Sequence, residues 1–229
     1  MTNDYWTTFW QTHARTSAMA DPQTQVLRTL KQKPIQEAEW HSTLSYIISQ
    51  LDLSPEHDTL DLCGGNGLVA SEIAAHCHQV TVVDISPELL QAASKRRNNI
   101  DILTADMRTV EFPTAHFDRI VCYAALQYLT LAETTNLFEN LHRWLKPGGV
   151  LFVGDIPDVD RQWNFFNTTE RRQAYFKNLK AGRPIVGTWF DSSWLSHLAS
   201  SVGFSSQECL PQPDDHIYSW FRFDFRCVK

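Results

Sequence analysis

The chain has 229 residues, 43% hydrophobic and 20% charged, with a net charge of −6 and a pI near 5.8, so one substantial core and a single domain over 1–229 are expected. The acid excess gives no general attraction to phosphate backbones and argues against nucleic acid as a partner. Cys63, Cys77, Cys122, Cys209 and Cys227 are scattered without a C-x-x-C pair, the N-terminus is too polar for a signal peptide, and no apolar run is long enough for a membrane span; a reduced, cytoplasmic protein with no membrane partner is expected.

Residues 1–57 are predicted to be mainly helical, a cap in which Trp6, Phe9 and Trp10 form an aromatic face. A core over 58–156 follows. "DTLDLC" reads as a buried strand and "GLVASEIAAHC" as a helix. "QVTVVD" is a second strand, and "SPELLQAASKRR" is a helix with Ser86 as N-cap and Pro87 at its first position. "IDILTAD" and "FDRIVCYAAL" are a third and fourth strand; the helix "LAETTNLFENLHRWL" stops at "KPGG", and "VLFVGDI" is a fifth strand. Strands alternating with helices predict a parallel sheet covered on both faces. Residues 157–190 are polar, aromatic and irregular, an insertion expected to close over the site. Over 191–229 the pattern gives a helix ending at Gly203 and two strands, "SSQECLP" and "YSWFRFDFRCV", whose short connection requires antiparallel pairing.

The glycine turn in "LDLCGGNG" ends the first strand, where a doubly wound sheet binds its ligand. Gly65 and Gly67 allow a tight turn and close approach of a ligand to the backbone. Asp84 closes the second strand, where an acid accepts from ribose hydroxyls, and Asp106 closes the third, suited to an adenine amino group. "GNGLVA" also fits the looser dinucleotide pattern G-x-G-x-x-A, so the turn alone leaves an NAD(P) oxidoreductase open. Asp61, Asp84 and Asp106 on one sheet edge suit amines, hydroxyls and positive charge better than a pyrophosphate. "HCH" (His76 to His78) has neighbouring side chains diverging and no matching group, so no metal is expected.

Taken together, "LDLCGGNG", "VVDIS", "TADM", "FDRIVCYAALQYL" and "LHRWLKPGGVLFVGD" resemble the successive motifs of the class I S-adenosylmethionine-dependent methyltransferases, over roughly residues 40–229. One departure is Cys63, where the family's turn usually has its first glycine. The resemblance implies an α/β, Rossmann-like doubly wound sheet of seven strands, mostly parallel with an antiparallel C-terminal strand and a helical N-terminal extension. It implies S-adenosyl-L-methionine as the methyl donor. Asp61 with the backbone at Cys63 and Gly65 would then hold the methionine amine, Asp84 the ribose with Ile85 against the adenine, and Asp106 and Met107 the adenine amino group and face. Gly67 of the same turn would also bind the donor, and Tyr123 would lie beside the sulfonium. Asp155, at the end of the fifth strand, is the candidate general base, with Asp158 and His216 weaker candidates.

The expected acceptor is a small molecule, with oxygen slightly favoured over nitrogen as the methylated atom; a sugar or a cell-surface or secondary-metabolite precursor is the class in view. Tyr5 and Trp10 in the cap, and Trp163, Tyr175 and Trp189 in the insertion, are the candidates for contacting it. A non-catalytic S-adenosylmethionine-binding protein is the other alternative. Oligomeric state is not readable from the chain.

Overall fold

The structure, a computed structural model, describes residues 4–229, so the first three residues of the expected cap lie outside it. Seven strands form one sheet: β1 (Asp58–Leu62), β2 (Gln79–Asp84), β3 (Ile100–Thr104), β4 (Phe117–Tyr123), β5 (Leu145–Pro157), β6 (Ser206–Pro211) and β7 (Arg222–Val228). Their spatial order is β3-β2-β1-β4-β5-β7-β6. The first five run parallel, and β7 is antiparallel to both its neighbours. This is the expected sheet. The chain winds outward from β1 to β3, then returns to place β4 on the other side of β1, so a crevice opens above the carboxyl ends of β1 and β4.

The principal helices are α1 (Asp4–Thr16), α2 (Glu37–Leu51), α3 (Leu68–Ile73), α4 (Pro87–Ala93), α5 (Leu131–Trp144), α6 (Thr169–Lys180) and α7 (Ser192–Val202). Their ends follow local chemistry. The Ser86 hydroxyl accepts from the Leu89 amide, with Pro87 at the first position of α4. Thr130 and Glu133 form a reciprocal capping box on α5, and Gly203, at φ +112°, ends α7.

Alternation along the strands divides the core in two. Leu60, Leu62, Ile120, Cys122, Leu151, Val153 and Phe225 face the side covered by Phe138, Leu141 and Trp144 of α5 and Leu195 of α7. Val80, Val82, Val121 and Phe152 face the other side, against Ile47 and Leu51 of α2, Ile73 of α3 and Leu90 of α4. Consecutive residues such as Ile120 and Val121 are fully buried on opposite faces, which is why the central strands read as continuous apolar runs.

Three details depart from the sequence expectation. The insertion is not irregular throughout: α6 forms there, with the Thr168 hydroxyl accepting from the Arg171 amide. No residue of α6 is buried, so it has no apolar stripe to announce it. The last strand starts at Arg222, because Tyr218 to Phe221 close a turn through the Phe221 amide and the Tyr218 carbonyl. Between α1 and α2 a ribbon pairs Thr29–Leu30 with Lys33–Pro34 around Lys31 and Gln32 at φ +51° and +64°. Both turn residues are left-handed, as in a type I′ hairpin, but neither is the asparagine or glycine that would advertise it.

Phe152 is fully buried at the centre of the sheet, with its ring centroid 6.2 Å from that of Tyr46 on α2. Phe152→Ala is expected to cost about 3–5 kcal/mol in urea unfolding. Phe176→Ala on α6, where the residue is 57% exposed, should stay within about 0.5 kcal/mol. Equal effects would mean that the face under α2 is not close-packed.

Candidate functional site

The crevice above β1 and β4 is a cavity of about 380 Å³, within the range of about 300–1,000 Å³ common for small-molecule sites. After β1 the backbone turns through Cys63 (φ +63°), Gly64, Gly65 (φ +55°), Asn66 and Gly67 (φ +73°) into α3. Gly64 has no room for a side chain, since a Cβ there would stand 2.5 Å from Asp61 Oδ2. A Cβ on Gly67 would collide with Ala93 of α4, so this glycine permits helix packing and does not line the cavity. Cys63 takes a left-handed conformation that glycine adopts at lower cost, and its Sγ lies 3.3 Å from Met107 Sδ.

Three carboxylates stand along one edge of the cavity. Asp61 is buried, and its Oδ2 has no hydrogen-bond partner among the described residues. Burial, with the Asp84 charge nearby, pushes its pKa up to about 7. Asp84 accepts from the Gly65 amide on Oδ2 and the Ser86 amide on Oδ1, each at 2.9 Å. Burial outweighs those bonds and raises its pKa to about 6. For Asp106, burial acts upward but the Arg108 hydrogen bonds win, leaving its pKa below the ordinary value. Arg108 Nε sits 2.9 Å from Asp106 Oδ1, and Nη2 also reaches Thr7 of α1 at 3.2 Å.

The cavity's other end is cationic. Arg28, just before the ribbon, donates to Asp155 Oδ2 at 2.8 Å, and its guanidinium lies 4.5 Å from the Tyr123 ring centroid. Arg222 of β7 approaches the same Oδ2 at 3.3 Å and donates to the Asp155 carbonyl. Burial alone would raise the Asp155 pKa, but the two arginines hold it below the ordinary carboxylate value. Its backbone sits at φ +63°, with its amide donating to Asp224 Oδ1 at 2.6 Å. Gly154 gives the Tyr123 ring its place, as a Cβ there would meet that ring at 2.4 Å.

The N-terminal segment closes the cavity. Asn66 Nδ2 donates to the Pro22 carbonyl and to Gln25 Oε1, both at 2.8 Å, while Val26 packs over Gly65. Trp6 and Trp10 of α1 stand against Tyr128, with ring centroids 4.7 and 5.6 Å away.

Of the residues expected from sequence, Asp61, Cys63, Gly65, Asp84, Ile85, Asp106, Met107, Tyr123, Asp155, Tyr5 and Trp10 all line the cavity. Trp163, Tyr175 and Trp189 do not. They form a separate aromatic cluster, with Trp163 to Tyr175 at 5.7 Å and Phe166 to Trp189 at 5.8 Å between centroids. Asp158 instead caps a short turn and pairs with Arg161, and His216 is buried behind the Arg28–Asp155 pair. Arg28 and Arg222 escaped the sequence reading. A lone arginine in "VLRTL" carries no signal, but Arg222, Asp224 and Arg226 alternating with apolar residues in "FRFDFRCV" mark one polar face of a strand. Among the described residues no His, Cys, Asp and Glu cluster could hold a metal.

Residues 59–149 match the family model described as a methyltransferase domain. The chain is 31% identical to the ubiquinone biosynthesis O-methyltransferase of Coxiella burnetii over 165 residues, 70% of this chain and 68% of that protein. This chain belongs to the class I S-adenosylmethionine-dependent methyltransferases. Within that family it is also 28% identical to the phosphoethanolamine N-methyltransferase of Plasmodium falciparum over 141 residues, 58% of this chain and 50% of the relative. The chain therefore spans about half the length of some curated relatives it matches, a Mycobacterium tuberculosis methyltransferase among them.

Solved structures share the fold. The N-methyltransferase NodS of Bradyrhizobium japonicum, in complex with S-adenosylhomocysteine, aligns with TM-score 0.58 at 18% identity over 84% of this chain and 87% of that one. The YcgJ protein of Bacillus subtilis aligns with TM-score 0.60 at 16% identity over 82% and 98%. S-adenosylmethionine carries an amine, two ribose hydroxyls and an adenine amino group. The residues present fit it: three carboxylates, one with an oxygen that has no partner among the described residues, stand beside a turn whose glycines leave the backbone bare.

The raised carboxyls predict an inverted pH dependence for the ligand-free protein. Asp61 in the folded chain keeps its proton up to about pH 7, whereas the unfolded carboxyl loses it near pH 4. The folded state thus holds the extra proton across that window, and stability falls as pH rises through it. The lowered carboxyls Asp106 and Asp155 have given their full stabilisation by about pH 5. From pH 5 to 7 Asp61 lowers the unfolding free energy by up to about 1.4 kcal/mol per pH unit; Asp84 and Asp224, raised by burial to about 6 and about 7, act in the same sense, and His57, His142 and His216, lowered by burial, act in the opposite one. Relative to the wild type, Asp61→Asn should remove up to that much downward slope; an unchanged slope would place the titration elsewhere.

Proposed function

We propose that this chain binds S-adenosylmethionine in the cavity and transfers its methyl group to a small-molecule acceptor enclosed beneath the N-terminal segment. The observation that carries the reading is the convergence of Asp61, Asp84 and Asp106 on one edge, with Asp61 Oδ2 lacking a partner among the described residues. S-adenosylmethionine supplies a methyl group on a positively charged sulfur.

The roles of the chain's own groups follow from their places. Asp84, held by two backbone amides, has its remaining lone pairs for the ribose hydroxyls. Asp61 and the turn at Cys63 and Gly65 take the methionine amine. Asp106, already fixed by Arg108, and Met107 meet the adenine together with Ile85. The Tyr123 ring stands at the reacting end, where an aromatic face stabilises a desolvated cation by up to about 2 kcal/mol. Stabilising the charged ground state does not itself speed transfer, so the rate rests on alignment and exclusion of water. Trp6, Trp10 and Tyr128, packed tilted and edge to face along the cavity, serve that exclusion.

Asp155 is poorly suited to act as general base. It is anionic, but two guanidinium groups pair with it, and its depressed pKa makes it a weak proton acceptor. We assign it the positioning of Arg28 and Arg222. Acceptors that need little help losing a proton, such as a carboxylate, a phenol or an amine, suit this site best. Such a range is consistent with O- and N-methyltransferases both appearing among the relatives.

Titration calorimetry with S-adenosylhomocysteine, with NADH as control, tests the binding reading. Micromolar binding of S-adenosylhomocysteine alone is expected. Asp84→Ala should weaken it at least about 100-fold, since hydrogen bonds to a charged group contribute about 1.5–3 kcal/mol each. Binding of NADH instead would favour a dinucleotide enzyme. Release of S-adenosylhomocysteine on incubating the protein and S-adenosylmethionine with an acceptor panel separates an enzyme from a non-catalytic binder.

A further inference from the structure

The cavity and its aspartates leave the outer face of the 157–190 insertion unused. Trp163, Phe176, Leu179 and Ile185 there, with Trp220 in the turn before β7, are 42–57% exposed. Contacts join most of them into one surface. Trp163 lies 6.3 Å from Phe176 between ring centroids, and Leu179 follows Phe176 one turn along α6. Phe166 and Phe165 link Trp163 to Trp220 through centroid distances of 6.4, 4.9 and 6.1 Å. Phe165 and Ile185 also line the cavity, so the surface continues to the cavity rim. Single exposed apolar residues are ordinary, but several large ones together mark an interaction site.

The same region carries positive charge. Residues 169–183 hold Arg171, Arg172, Lys177, Lys180 and Arg183 against one acid, Glu170, in a chain whose net charge is −6. Among the described residues none of these five cations is in a salt bridge. At about 100° per residue, Arg172, Leu179 and Lys180 fall within about 60° of Phe176 around α6. No residue of α6 is buried, and Tyr175 packs inward on Phe166 at 4.6 Å. One outward stripe thus mixes two cations with two large apolar side chains.

Such a stripe suits a bilayer surface better than a protein. A protein partner would have to set a carboxylate against each cation and a pocket under each apolar anchor. An anionic headgroup layer supplies negative charge along the whole face, with hydrocarbon directly beneath it for tryptophan, phenylalanine and leucine. Arginine and lysine stems reach back to the headgroups while the apolar side chains go deeper. Among the described residues no helix is long and apolar enough to cross a membrane, so the contact is peripheral. The expectation of no membrane partner rests on the lack of a spanning run, and a surface contact needs none.

We infer that the outer face of the insertion, centred on Phe176 and Leu179, docks this chain on an anionic lipid surface. Docking there brings the cavity rim at Phe165 and Ile185 to the bilayer. The inference is independent of the methyl transfer proposed above, because it is read from binding alone.

Sedimentation of the full chain with lipid vesicles tests it. The vesicles are phosphatidylcholine alone and an equal mixture with phosphatidylglycerol, each at low and high salt. The chain is expected to pellet with the mixed vesicles at low salt, far less at high salt, and not with phosphatidylcholine alone. Two variants alter the face: Phe176→Ser with Leu179→Ser, and Arg172→Glu with Lys180→Glu. All four positions are exposed, and circular dichroism first establishes that each variant is folded. Each should weaken partitioning at least about tenfold. Lys95→Glu with Arg97→Glu, exposed cations beyond α4, is the control and should change it less than about twofold. No pelleting with either vesicle would overturn the docking face, as would binding that both face variants retain. An equal loss in the control would also overturn it, since any cation on the chain would then serve. Sedimentation velocity of the lipid-free chain covers the other occupant: a dimer abolished by Phe176→Ser with Leu179→Ser would give the face to a second copy instead.

Discussion

The buried ion pair between Arg28 and Asp155 is the interaction on which the site depends. It joins positions 127 residues apart, fixing the segment after α1 to the end of β5. Removing Asp155 would leave two guanidinium charges without a carboxylate in a low-dielectric interior, at a cost of about 3–5 kcal/mol. The pair also places its neighbours. Tyr123 lies under Arg28, Arg222 shares the carboxylate, and the Asp155 amide reaches Asp224. β4, β5, β7 and the N-terminal segment thereby meet at one point, and the cavity is what they leave between them.

That point is also where backbone strain collects. Cys63, Ala124 and Asp155 all have positive φ, at +63°, +59° and +63°; the first two follow β1 and β4, and Asp155 sits at the irregularity between Val153 and Ile156 of β5. A left-handed conformation costs a side-chain-bearing residue about 1–2 kcal/mol. Cys63 and Ala124 turn the chain out of their strands, and Asp155 interrupts the pairing of β5 with β7 before it resumes at Ile156. Burial also raises the pKa of Asp61 and Asp84 on the neighbouring edge, so charge on those carboxyls is unfavourable there. A fold that relaxed both would gain stability and lose the opening. A cationic or amine-bearing ligand at Asp61 offsets the second cost directly.

Much of this was legible in the sequence because it depends on local pattern. Five apolar runs alternating with amphipathic stretches gave the parallel sheet, and the short link before "FRFDFRCV" gave the antiparallel final strand. Asp61, Asp84 and Asp106 are legible because Asp84 ends β2, Asp106 follows β3 and Asp61 stands one residue before the end of β1, and strand ends share one edge of such a sheet. What could not be read is long-range. Nothing local in "VLRTL" says that Arg28 meets Asp155, and nothing in "TERRQAYFKNLK" says which way its aromatic residues turn. Trp163, Tyr175 and Trp189 were expected at the acceptor because aromatic residues in an insertion beside a site suggest contact. They pack instead against Phe165, Phe166 and each other.

That aromatic cluster still bears on the chemistry, by holding a rim in place. Without a covering layer, an exposed insertion loses too much conformational entropy to present a fixed surface. Here Phe165 touches Phe221 at 4.9 Å between centroids, anchoring the cluster to the start of β7 beside Arg222. At its far end Gly187, at φ +113°, passes so close to the Gln127 carbonyl that a Cβ would stand 2.2 Å away, and the Thr188 amide donates to that same oxygen. Between these two anchors Phe165, Ile185 and Val186 reach the cavity wall. The insertion therefore contributes apolar residues to the cavity wall, and its aromatic cluster, tied to Phe221 through Phe165 and to Gln127 through Gly187 and Thr188, is the layer that backs them.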